Sequence, residues 1–207
     1  MNIKYKNFEI EVSDDPDYNL NSANNQRQYK KVYSEENRKQ NIVYPESKHT
    51  IIIKESGIEI SSSIICEVGW TVKINHNTFI IEDDKIWIIS CAQVYCLEIP
   101  TLELIWKRDF DSFTLFSLYK LENDFIIHGE VEIFRITREG EIIWSFGGRD
   151  IWVNTKGKTE FSIENNIIKL YDFESNEYII DFDGNQLEDN PVIIQKEINK
   201  KWWKIFG

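Results

Sequence analysis

His128, Gly129 and Glu130 place an imidazole and a carboxylate on either side of a glycine inside an otherwise apolar, strand-forming run. An imidazole beside an acid is proton-transfer equipment, and a glycine in a strand marks close approach by other backbone or by a ligand. Further along, Gly147-Gly148-Arg149-Asp150-Ile151-Trp152 joins two glycines to a cation, an acid and an indole. Glu130 and Asp150 supply the pair of acids that glycoside hydrolysis requires. The commoner role of such groups is structural, because a His and an acid on an inner strand satisfy each other or nearby backbone amides. No residue is therefore assigned a catalytic role, and the chain is expected not to be an enzyme. His128, Glu130, Arg149, Asp150, Trp152 and the separate Trp70 are carried forward as candidate binding residues.

Other chemistries lack their residues. Neither His49, His76 nor His128 has a second His or Cys at ligand spacing, and Cys91 and Cys96 fall in different strand-like runs. Tetrahedral zinc wants clustered thiolates or imidazoles, so neither a metal nor a cofactor is expected. Gly147-Gly148 is followed by Arg-Asp rather than by Lys-Ser at a helix start, which disfavours nucleotide hydrolysis, and no serine sits in a G-x-S-x-G elbow. Cys66, Cys91 and Cys96 are odd in number and embedded in apolar runs, which reads as reduced core thiols.

The elements that must hold these groups are strands. The 207 residues are 42% hydrophobic and 14% aromatic, rich in Ile and poor in Ala, a composition that favours sheets over helices. Comparing the chain with itself reveals a period. Residues 94 to 106 read VYCLEIPTLELIW, 132 to 144 read EIFRITREGEIIW and 168 to 180 read IKLYDFESNEYII. Each is a strand, a short polar turn and a second strand closing on Trp106, Trp144 or Ile180, at spacings of 38 and 36 residues. Two more strand candidates precede each pair: 78–82 and 85–90, then 113–120 and 124–130, then 151–154 and 160–164. Four short antiparallel strands per repeat describe a propeller blade.

The middle copy, ending in ITREGEIIW, resembles the blade of pyrroloquinoline-quinone-type β-propellers, in which a glycine-bearing turn leads into a strand closing on Trp. The resemblance spans roughly residues 70 to 183 and implies the fold, not the quinone. The run from Ile126 to Val153, with HGE and then GRDI, followed by DFDGNQ at 181–186, is also similar to a family of small bacterial β-repeat proteins without an assigned activity. That family shows a glycine-rich run after its first hairpin, where this chain has Glu67-Val68-Gly69-Trp70-Thr71.

Together these readings give an all-β single domain over 1–207. Residues 1–12 form a docking strand, 13–48 a polar loop, 49–67 a covering hairpin, 70–187 three repeats and 191–207 a short C-terminal helix bearing Trp202 and Trp203. Three blades do not close a ring, so the expectation is an open, partial β-propeller, with a β-sandwich as the alternative. The hairpin then shields one exposed edge.

Charge narrows the partners. Residues 51–190 hold 12 Lys/Arg against 26 Asp/Glu, a balance of −14, while residues 1–50 balance at 8 each and the last 17 hold four Lys against one Glu. Such a domain repels phosphate backbones, so nucleic acid is excluded as a partner. No run reaches a membrane span and Met1 to Glu11 carries charges rather than an apolar signal core, which predicts a cytoplasmic protein without membrane contact. The leading expectation is a protein-binding module, with an immunity protein neutralising a basic bacterial toxin as its sharper form. A self-associating β protein that closes its open edges as a homodimer is one alternative, and a carbohydrate-acting enzyme using Glu130, Asp150 and His128 is the other.

Overall fold

In the computed structural model, which describes residues 1–34 and 45–193, the chain consists of strands and their connections. No helix among these residues is long and apolar enough to cross a membrane. The first sheet contains β1 (Asn2–Tyr5), β2 (Phe8–Asp14), β3 (Lys31–Ser34), β4 (Ser47–Glu55) and β5 (Ile58–Glu67), ordered β1-β2-β4-β5-β3, with β3 parallel to β5. Three antiparallel meanders follow. The second sheet is β6 (Phe79–Glu82), β7 (Lys85–Ser90), β8 (Gln93–Glu98) and β9 (Leu104–Asp109). The third is β10 (Leu115–Lys120), β11 (Asp124–Gly129), β12 (Glu132–Thr137) and β13 (Ile142–Gly147). The fourth is β14 (Phe161–Glu164), β15 (Ile167–Tyr171), β16 (Glu177–Asp181) and β17 (Gln186–Asn190).

The sheets pack face to face in chain order, and the sequence pattern follows from that. Successive side chains of a strand point to opposite faces, so a strand covered on both sides must be apolar throughout. In β7, Ile86 and Ile88 enter the core shared with the first sheet, while Trp87 and Ile89 enter the core shared with the third. In β11, Phe125 and Ile127 face the second sheet and Ile126 faces the fourth. The fourth sheet ends the series, and its strands alternate: Ile168, Leu170, Tyr178 and Ile180 are buried, whereas Lys169 and Glu177 pair with each other on the other face. Each fully buried Ile or Phe contributes about 2 kcal/mol of transfer free energy, so the three intersheet cores dominate stability. The result is an open, propeller-like arc. Among the described residues no buried cluster joins the last sheet to the first.

Adjacent blades are also tied at their rims. Trp106 on β9 donates its indole N–H to the carbonyl of Arg138 at 3.2 Å, in the β12–β13 turn of the next sheet. Trp144 on β13 repeats this toward the Phe182 carbonyl at 2.9 Å, in the β16–β17 turn. The glycine of each receiving turn adopts a left-handed backbone, at φ +80° for Gly140 and +83° for Gly184. A Cβ on Gly184 would lie 2.8 Å from Cδ2 of Trp144, so only glycine admits the ring. ITREGEIIW predicts a glycine turn followed by a strand closing on Trp; that the Trp of one sheet seats on the glycine turn of the next is added by the structure.

The structure corrects several expectations. Each meander has a register shift between its third and fourth strands, which aligns Trp106 and Trp144 with Glu188 rather than with Ile180. Ile180 lies one strand earlier, in the buried face of β16. The last strand was missed because β17, Gln-Leu-Glu-Asp-Asn, is exposed along its whole length and carries no apolar signature. Residues 151–154, expected as a strand, instead bridge two sheets: Trp152 N–H donates to the Glu130 carbonyl at 2.7 Å and the Ile151 carbonyl accepts from Phe173 at 2.9 Å. The 13–48 segment is more than a polar loop. Tyr18, Leu20 and Tyr29 cover Ile64 and Cys66 on the outer face of the first sheet, and β3 adds a strand to it. The 49–67 hairpin, expected to shield an edge, instead packs face to face on the second sheet as part of a five-stranded sheet. Of the helix expected at 191–207, residues 191–193 are not helical and the rest, with Trp202 and Trp203, lie outside the described residues.

Candidate functional site

Three of the six candidate residues meet in one place. His128, Glu130 and Trp70 line a cleft of about 1180 Å³, formed by the ends of β5, β9 and β11, the β7–β8 turn, strand β10, and the connections leading into β6, β10 and β14. The other three stand elsewhere. Arg149 forms a bidentate pair with Asp189 and lies over the Tyr178 ring. Asp150 accepts from the Ile151 amide at 2.8 Å. Trp152 is wholly buried between Phe146 and Tyr178. Trp87, which offers a similar ring, is likewise sealed in the core.

The cleft has an aromatic wall. His128 stacks on Phe161 at 4.8 Å between ring centres and meets Phe116 edge-on at 5.0 Å; Phe161 in turn stacks on Tyr119, and Trp70 meets Phe116. Trp70 and Phe113 are 61% and 62% exposed, offering large apolar faces to whatever enters.

Its charge has one sign. Glu67, Asp109, Asp111, Glu130 and Glu160 line the cleft, and among the described residues no Lys or Arg does. Several of these acids also hold the frame. Asp111 accepts from the amides of Phe113, Val131 and Glu132, and Gly129 is what admits it, since a Cβ there would fall 2.3 Å from its carboxylate. Glu67, buried, accepts from the Tyr95 hydroxyl and from Lys107 at 2.8 Å. Glu130 is held above the usual carboxylate range by burial and by the Asp111 charge, against the opposing pull of a hydrogen bond from Thr114. His128 is pushed down to about 3 by burial, partly offset by a hydrogen bond to the Trp152 backbone. It is thus a neutral ring at physiological pH.

The remaining histidines and thiols are accounted for differently. His49 is buried between Asp14 at 2.6 Å and Thr71 at 3.1 Å, and His76 is exposed. Burial raises the Cys66 and Cys96 thiols to about 12. Among the described residues, no three His, Cys, Asp or Glu side chains are grouped to hold a metal ion.

Several cleft residues went unrecognised in the sequence. Asp111 lies in the connection leading into β10; Phe116 meets His128 through the pairing of β10 with β11 in one sheet, and Phe161 meets it through the stacking of the fourth sheet on the third. Gln93 gave no signal at all.

No protein-family model and no curated protein matches the sequence. Among solved structures, the chain is similar to BamB from Moraxella catarrhalis (TM-score 0.45, 15% identity, covering 69% of this chain and 45% of that one). It is also similar to the Pan2 WD40 domain of Neurospora crassa (TM-score 0.43, 16% identity, 56% and 37%) and to the computationally designed Ika8 protein (TM-score 0.45, 12% identity, 69% and 45%). The chain spans less than half the length of each.

Proposed function

We propose that this chain is a protein-binding module that receives a basic segment of a partner protein in its aromatic, acidic cleft. The observation that carries this is the lining itself: among the described residues, five carboxylates and no Lys or Arg, beside exposed Trp70 and Phe113. One-signed clefts with low-dielectric walls focus the field and speed encounter with an oppositely charged partner, while aromatic faces hold its cations at short range. In its sharper form the reading is an immunity protein acting in the cytoplasm on a basic toxin. The module is read as a binder rather than an enzyme.

The test is titration of a fluorescent peptide containing both Lys and Arg, with an acidic peptide as control. Binding to the basic peptide should weaken steeply as salt rises, because the contacts are charge pairs near the surface. Trp70→Ala and Glu130→Gln should each weaken it by about fivefold to tenfold, the range of a single cation–π or charged contact. Absence of binding, or affinities indifferent to salt and to both substitutions, would overturn the proposal.

A further inference from the structure

Two neutral groups in the cleft lack a partner. His128 Nε2 and Gln93 Oε1 meet no hydrogen-bond partner among the described residues, although their residues are only 5% and 6% exposed. Gln93 spends its amide nitrogen on Asp109 at 2.7 Å, which turns its oxygen into a free acceptor. The Trp152 backbone favours the protonated ring, the effect of a carbonyl near a ring N–H, and Nε2 is the nitrogen without a partner, so the neutral ring is assigned the tautomer with its proton on Nδ1. With one ring nitrogen so occupied, Nε2 of the neutral imidazole presents a lone pair. Both open positions are acceptors, and a buried acceptor without a donor is a standing cost that a donor-bearing ligand removes.

A ligand that suits this lining is cationic, rich in donors and free of acceptors. Ammonium and guanidinium groups both qualify on charge, but they differ in shape. An ammonium is compact and strongly hydrated, whereas a guanidinium is planar, more weakly hydrated, carries five donors in a fixed fork and stacks on aromatic rings. Flat faces at Trp70 and Phe116 and scattered neutral acceptors match the second group. We infer that the cleft is an arginine-selective site, in which His128 and Gln93 accept hydrogen bonds from the guanidinium of a partner's arginine side chain. This rests on the reading of the cleft as a site for a basic segment and adds which cation it selects.

Blocked tetra-arginine and tetra-lysine peptides, equal in charge, separate the two claims by calorimetric titration of the whole chain. The arginine peptide should bind about tenfold tighter than the lysine peptide at about 0.15 M salt. His128→Phe, which keeps an aromatic ring in the stack, and Gln93→Leu should each reduce arginine-peptide affinity by about fivefold and lower the arginine-over-lysine ratio. Equal binding of the two peptides by the unaltered chain, or unchanged selectivity in both variants, overturns arginine selectivity and leaves the basic-segment reading standing. No binding of either peptide overturns both. Should the variants not fold, the nitrogen-15 resonance of His128 Nε2 in the unaltered protein decides: it should move on addition of the arginine peptide and not the lysine peptide, and a resonance indifferent to both overturns the inference.

Discussion

His128 makes the stability of this protein depend on pH in a way that can be calculated. Burial lowers its folded-state pKa from the ordinary 6.5 to about 3. Between those values the unfolded chain binds a proton that the folded chain does not, so stability is complete above the unfolded value and declines as pH falls toward the folded one. For one imidazole with these constants the loss relative to neutral pH is about 2 kcal/mol at pH 5 and about 3 kcal/mol at pH 4. Urea unfolding followed by tryptophan fluorescence, at intervals from pH 7.5 to pH 4, measures it. Acid groups titrate across the same range, so the informative quantity is the difference between the unaltered chain and His128→Phe, in which the carboxylates of Glu130 and Asp111 are retained. The Phe variant should gain on the unaltered chain by about 2 kcal/mol between pH 7.5 and pH 5. Curves that stay parallel would mean that His128 charges as easily inside the protein as outside. The account of a neutral acceptor in the cleft would then fail with it.

Three further outcomes follow from the packing. Gly184→Ala forces a side chain into a left-handed backbone and against the Trp144 ring, and should cost about 2–4 kcal/mol in urea unfolding; in a Trp144→Ala background the same change should cost measurably less, because the ring it strikes is gone. Asp111→Ala removes the acceptor of three backbone amides and should destabilise the chain by about 2–3 kcal/mol, with faster hydrogen exchange at Val131 and Glu132 as the local readout. Cys66 and Cys96, buried and raised to about 12, should resist a thiol reagent in the native protein at mildly alkaline pH and react on unfolding, as mass spectrometry of the labelled peptides will show.

Much of the architecture is legible in the sequence because both-face burial writes itself as unbroken apolar runs. Lys-Ile-Trp-Ile-Ile-Ser in β7 and Asp-Phe-Ile-Ile-His-Gly in β11 read as strands with two cores to fill. The closing tryptophans of the second and third sheets and the turn glycine of the third were likewise legible, since Gly140 and Trp144 do their work through backbone conformation and ring size. Where a strand has no core on either face the signal vanishes. Gln186–Asn190 pairs with β16 through backbone and the polar Asn190–Glu177 bond, with no buried apolar side chain, which is why the third repeat was placed one strand too early and Ile180 was matched with the two tryptophans. Ile151-Trp152-Val153 failed in the opposite sense. Its apolar side chains fit a strand, but its amides and carbonyls serve two different sheets.

The site was half legible for a related reason. An imidazole, a glycine and a carboxylate in sequence mark themselves as unusual on a strand, and His128 and Glu130 do line the cleft. Arg149 and Asp150 looked equally unusual, yet Arg149 fastens the β13–β14 connection to Asp189 on β17. Chain proximity could not separate the two cases, because each depends on what the neighbouring sheet presents. Gly129 shows the dependence most directly. Its strand position suggested room for a ligand, and what occupies the room is the Asp111 carboxylate, folded down onto the amides of the next turn. That carboxylate is spent on three amides, and it still keeps a negative charge beside Glu130 that raises the Glu130 carboxyl. A cation entering the cleft would relieve that repulsion and bring Glu130 back toward its ordinary titration range. The frame that builds the cleft therefore also makes it favour a positive occupant.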